Sequence, residues 1–141
     1  MPLPWRDDDY AEILRQSKTI AVVGLSNDRF RPSYGVARYL QQEGYRIIPV
    51  NPHETEVLGE TAYPDLLRLS QAVDVVDVFR RPEFVPQVVE QAIRIGAKAI
   101  WLQLGVGTQQ TAERAREAGL KVVLNQCMAT ELRKLHAVPP E

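Results

Sequence analysis

From residue 7 to residue 135 the chain alternates between two kinds of segment, and nothing else in it limits the fold so strongly. Short Val/Ile-rich runs of strand length are separated by longer stretches with helical spacing, which begin at a capping residue or end at glycine. Strands that alternate with helices predict a parallel sheet joined by helical crossovers. Residues 19–24 form a near-continuous apolar run, as expected of a strand buried on both faces. Further strands are predicted at 46–50, 73–79, 99–102 and 121–124.

The helices fall between these runs. Asp9 can cap a first helix reaching about Ser17, and Val36, Ala37, Tyr39 and Leu40 give a second an apolar stripe that stops at Gly44. Pro82 opens a third, with Val85, Val88, Val89, Ala92 and Ile93 on one face and Gly96 at its end. Thr108 caps a fourth that runs to Ala118 and closes at Gly119, and a terminal helix spans about Ala129 to Leu135. Residues 51–63 suit an irregular crossing with a short edge strand around Val57 and Leu58, after which Pro64 and Asp65 open a short helix through Leu69.

At 141 residues and 45% hydrophobic, the chain can bury one core, so a single domain is expected, structured over about 7–136 with a frayed tail at 137–141. Its 17 basic and 18 acidic residues are interspersed, and a net charge of −1 points to neither a nucleic-acid nor a membrane-surface partner. Cys127 is the sole cysteine, which leaves no internal disulfide or Cys-based zinc site and fits a reducing compartment. Residues 1–6 followed by three aspartates do not read as a secretory signal, and no apolar run approaches the roughly 20 residues of a membrane helix. A cytoplasmic protein is the expectation.

Doubly wound sheets carry ligands outside the carboxyl ends of their strands, where the strand order reverses. The loops after Gly24, Val50, Phe79, Leu102 and Leu124 are therefore where function should lie. The first loop departs from a dinucleotide turn, because Ser26 stands where the second glycine of GxGxxG belongs and the loop is several residues longer. It still suits an anion: Ser26, Asn27 and Ser33 can donate hydrogen bonds, and a helix start with Arg29 or Arg31 favours negative charge. Asn51 occupies the position from which a carboxylate usually holds the ribose of NAD, which is easier to reconcile with a ribose that carries a phosphate; an ordinary turn residue before Pro52 is the competing reading.

The third loop, Phe79-Arg80-Arg81-Pro82-Glu83, offers a phosphate two guanidinium groups and free helix amides; pairing of both arginines with surface carboxylates is the competing reading. Asp74 and Asp77 lie in the strand before it, and Asp77 reads as a buried, hydrogen-bonded structural group. Gln103 leads a fourth loop in which Gly105 and Gly107 allow close backbone approach. Cys127 sits near the start of the last helix, where a reactive thiol competes with a small buried apolar role. His53 and His136 have no neighbours that suggest a triad or a metal site, and no phosphate-loop lysine motif is present. No catalytic residue and no metal ligand is assigned.

Taken together, residues 20–26, 31–33, 49–52, 75–83 and 96–106 resemble the CoA-binding protein family related to the amino-terminal domain of the succinyl-CoA synthetase alpha subunit. The resemblance implies a Rossmann-like, doubly wound α/β sheet of about five parallel strands with helices on both faces. It implies coenzyme A or an acyl-CoA as ligand, with the adenosine diphosphate and pyrophosphate near the first and third loops and the pantetheine arm toward the fourth. Carried over by position, the ligand contacts are Gly24, Ser26, Asn27, Arg31, Asn51, Phe79, Arg80 and Gln103. The related synthetases catalyse through a phosphorylated histidine and an ATP-grasp domain, and this chain ends before either. A binding module without that machinery is the expectation. A CoA thiol extending to the fifth strand would meet Cys127, where a mixed disulfide is one outcome. Two alternatives stay open: an NAD(P)-dependent oxidoreductase-like enzyme, and an interaction protein that binds no ligand. Neither a protein partner nor self-association is legible in the sequence.

Overall fold

The computed structural model describes residues 7–137. Helix α1 spans Asp7–Gln16, strand β1 Thr19–Val23, helix α2 Pro32–Gln42 and strand β2 Arg46–Val50. A two-stranded hairpin follows, β3 at Glu56–Val57 and β4 at Glu60–Thr61. Then come β5 at Val75–Val78, α3 at Val85–Arg94, β6 at Ala99–Leu102, α4 at Gln109–Glu117, β7 at Lys121–Leu124 and α5 at Met128–Ala137. No helix among the described residues is long and apolar enough to cross a membrane.

Five strands pair in parallel in the order β2-β1-β5-β6-β7, as the alternating pattern predicts. The chain steps outward from β1 to β2 and then returns to the far side of β1, so the order reverses between β1 and β5. Apart from Thr19, Arg46 and Lys121 at their amino ends and Asp77 within β5, the strands are apolar because both faces are covered. One face carries Ala21, Ile48, Val76, Ile100 and Val122 against Val88, Val89, Ala112 and Ala115 of α3 and α4. The other carries Ile20, Ile47, Val75, Trp101 and Val123 against Leu14, Leu40, Met128 and Leu132 of α1, α2 and α5.

Local chemistry shifts several expected boundaries. Helix α1 begins at Asp7, which places Asp9 inside its first turn and not at its cap. Pro82 opens only a 3-10 turn, in which Val85 N–H donates to the Pro82 carbonyl. Pro86 has no N–H to make the α-type bond back to the same carbonyl, so the α-helix proper starts at Val85. The helix expected after Pro64 is a single 3-10 turn at Leu66–Arg68, with no side-chain cap from Asp65. The edge strand expected at Val57 and Leu58 is a hairpin whose turn residues, Leu58 and Gly59, both have positive φ. Thr108 caps α4 as expected, in a reciprocal box with Thr111. Helix α5 reaches Ala137, and the rest of the expected tail lies outside the described residues.

Candidate functional site

The switch point between β1 and β5 is built on a contact that only glycine permits. Gly24 N–H donates to Val50 O (2.8 Å) and Phe79 N–H to Val23 O (2.8 Å), which draws the three strand ends together. At Gly24 φ is +91°, and a Cβ there would lie 2.2 Å from the Phe79 carbonyl oxygen. The backbone at this crossing is thus packed too tightly for any side chain.

On either side of the crossing, asparagines fasten neighbouring loops. Asn51 donates from Nδ2 to Leu25 O (3.0 Å) and accepts from His53 N–H (2.9 Å), joining the first and second loops. Asn27 donates its backbone N–H to Glu54 Oε2 (2.7 Å) and its Nδ2 to Glu54 Oε1 (2.9 Å) and Glu56 O (2.8 Å). The Asn27 amides hold the Glu54 carboxyl below the usual carboxylate range. Across the crossing, Gly105 N–H donates to Asn125 Oδ1 (3.1 Å) and Trp101 Nε1 to Gln126 O (2.9 Å), joining the fourth and fifth loops.

Between these two fastened pairs opens a cleft of about 460 Å³ on the α2/α5 face. Gly24, Arg31, Phe79, Arg80 and Gln103 of the expected site residues line it. Ser26, Asn27 and Asn51 do not, and serve instead in the loops around it: Ser26 N–H donates to Ser33 Oγ (3.3 Å), and Ser26 Oγ accepts from Asp28 N–H (3.0 Å). The cleft wall also includes Ser33, Arg81 and Cys127, which the loop chemistry singles out although they are outside the contacts carried over by position, and Val36 and Leu104, which were not expected. The i, i+3 spacing of Ser33 and Val36 at the start of α2, and the adjacency of Arg81 to Arg80, are the sequence signals that point to three of them.

The electrostatics favour an anion at the mouth. The Arg80 guanidinium lies 4.5 Å from the centroid of the Phe84 ring, and among the described residues neither Arg80 nor Arg81 pairs with a carboxylate. Arg31 makes one exposed contact of 3.7 Å with Asp28. The helices that start at the first and third loops have no side-chain cap; Pro32 and Pro82 carry no N–H, Tyr34 N–H donates to Arg31 O and Phe84 N–H to Arg81 O, which leaves the Ser33 and Glu83 amides without a partner among the described residues. Arg80 also lines a second hollow of about 200 Å³ on the α3 face, with Val50, Pro64, Gln87 and Gln91.

Beneath the cleft floor, Asp77 of β5 is fully buried. Its Oδ1 accepts from Gln103 Nε2, and its Oδ2 has no hydrogen-bond partner among the described residues. Burial pushes the carboxyl up to about 7, although the Gln103 hydrogen bond pulls the other way.

A 2-1-5-6-7 parallel sheet with an anion-favouring crevice at its switch point defines a doubly wound α/β domain of the nucleotide-binding kind. Residues 18–133 match the family model described as CoA binding domain, and the chain belongs to that family. It is 39% identical over 127 residues to the uncharacterized protein YneT of Bacillus subtilis, covering 90% of this chain and 91% of YneT. A hypothetical protein from Pyrococcus horikoshii superposes with a TM-score of 0.91 at 40% identity, covering 97% of each chain. The chain is also 30% identical over 128 residues to the alpha subunit of ADP-forming acetate–CoA ligase I of Pyrococcus furiosus; the match takes in 79% of this chain and only 28% of that subunit.

Proposed function

We propose that this chain binds coenzyme A or an acyl-CoA in the switch-point cleft and acts as a binding module, not as a synthetase. The observation that carries the reading is the pair Arg80 and Arg81, standing without carboxylate partners between two uncapped helix starts in a domain of the CoA-binding family. CoA carries a pyrophosphate and a 3′-phosphate, and these are the groups such a mouth attracts. The apolar side of the cleft, with Val36, Phe79 and Leu104, suits the pantetheine arm.

Gly24, Arg31, Phe79, Arg80 and Gln103 are placed against the ligand, with Ser26, Asn27 and Asn51 shaping the loops that enclose it. A phosphate that reached the Asn27 amides would have to displace the Glu54 carboxylate from them.

Calorimetric titration with CoA tests the reading, with NAD, NADP, FMN and ATP in parallel and dephospho-CoA to probe the 3′-phosphate. Saturable one-site binding selective for CoA is expected. Absence of CoA binding, or tighter binding of NAD, sinks the proposal. Arg80→Ala is expected to weaken CoA by about 1.5–3 kcal/mol, as loss of a charge-assisted hydrogen bond would. Unchanged affinity would remove Arg80 from the site.

A further inference from the structure

Asp77 is costly where it stands. Neighbouring positions on its strand are valines, its side chain faces the apolar α1/α2/α5 layer, and one carboxyl oxygen goes without a partner. A buried polar atom left in that state destabilises a fold, and a valine would fit the strand better. Among the described residues the one side chain that bonds it is Gln103, which reaches down from the cleft wall to donate Nε2 to Asp77 Oδ1.

A primary amide carries its donor and its acceptor on opposite sides of one carbon. With Nε2 held inward by Asp77, Gln103 Oε1 turns the other way, and it makes no hydrogen bond among the described residues. Gln103 itself is only 5% exposed, and the surface it does present belongs to the cleft. An acceptor fixed in this way, beside apolar Leu104 and Phe79, matches a ligand segment that is neutral and extended and carries N–H donors.

We propose that Asp77 is a positioning residue: it orients the Gln103 amide so that its carbonyl oxygen faces the cleft and selects a ligand arm bearing amide N–H groups. Resting on the CoA reading above, the proposal assigns this acceptor to the amide-bearing pantetheine arm and not to the nucleotide end. Asp77 touches no ligand and acts only through Gln103.

The test compares two ligands, CoA and adenosine 3′,5′-bisphosphate, which lacks the arm. Asp77→Val removes the acceptor that holds Nε2 and is expected to weaken CoA about five- to tenfold, the scale of one hydrogen bond, while leaving adenosine 3′,5′-bisphosphate within about twofold. Asp77→Asn keeps an oxygen for Nε2 and is expected to restore CoA affinity. Gln103→Leu, which alters the cleft wall and leaves the strand intact, is expected to reproduce the selective loss if Asp77→Val does not fold. Equal weakening of both ligands, or of neither, overturns the positioning role while the CoA reading stands. Failure of the unaltered protein to bind CoA overturns both.

Discussion

Two aspartates three residues apart on one segment show how differently the two edges of the sheet are built. At the amino edge, Asp74 is fully engaged: Oδ2 accepts from Lys18 N–H (2.8 Å) and Thr19 N–H (3.0 Å), and Oδ1 lies 3.2 Å from Lys98 Nζ. Burial alone would raise its pKa, but those amides and the Lys98 ammonium outweigh it and hold the carboxyl below the ordinary range. At the carboxyl edge, Asp77 has one partner for two oxygens, and burial drives its pKa the opposite way. The edge that only closes the fold satisfies its charges internally. The edge that faces the cleft keeps polar capacity in reserve, both in Asp77 and in the arginines above it.

The contrast can be broken most decisively by pH. Asp77 has a folded pKa of about 7 against about 4 unfolded, so the native state holds the extra proton between those values. The penalty for ionising it is absent below pH about 4 and builds as pH rises through about 7, so the fold loses up to about 4 kcal/mol of stability across that interval. Asp77→Asn is expected to flatten that fall, as read from urea midpoints across the interval. An unaltered slope would mean that Asp77 ionises in the fold without penalty. Asp74 has the opposite sign, since its contribution is present above pH about 4 and lost as pH drops through its lowered folded value.

Gly24→Ala sharpens the view of the carboxyl edge as a tight crossing. A methyl set against the Phe79 carbonyl at positive φ is expected to cost about 3 kcal/mol and to widen the cleft mouth, measurable as a lower unfolding midpoint together with weaker CoA binding. The smallest effect belongs to the amino edge. Asp74→Ala frees two backbone amides and is expected to cost about 1–2 kcal/mol with CoA affinity unchanged; a loss of binding would show that the two edges are coupled.

Much of the fold is legible in the sequence. Val/Ile-rich runs mark β2, β6 and β7 to the residue and β1 to within one, because strands buried on both faces leave a near-continuous apolar signature. That the loops after β1, β5, β6 and β7 meet at one cleft follows from topology, whereas the loop after β2 borders the hollow beside α3 through Pro52. The hairpin turn was hidden because Leu58 adopts φ +54°, a conformation its residue type seldom takes and which here is supported by packing against the α1/α2/α5 layer. The start of α3 was misplaced because Pro86 blocks a hydrogen bond that the apolar spacing does not register. Within the site, the residue types in the loops were visible but their obligations were not. Asn27 reads as a donor to an anion and Asn51 as a ribose contact or a turn residue, and only the fold brings Glu54 and the Leu25 carbonyl within their reach.

Arg80 borders hollows on both faces of the sheet, one beside α3 and one beside α2 and α5. A molecule that filled both would have to pass over the rim of the sheet and bend at that guanidinium. Shape then becomes a filter that charge alone does not provide: a rigid rod of the right charge fits one compartment, whereas a chain with a flexible joint can occupy two. Fragments cut at the joint should bind side by side without excluding each other.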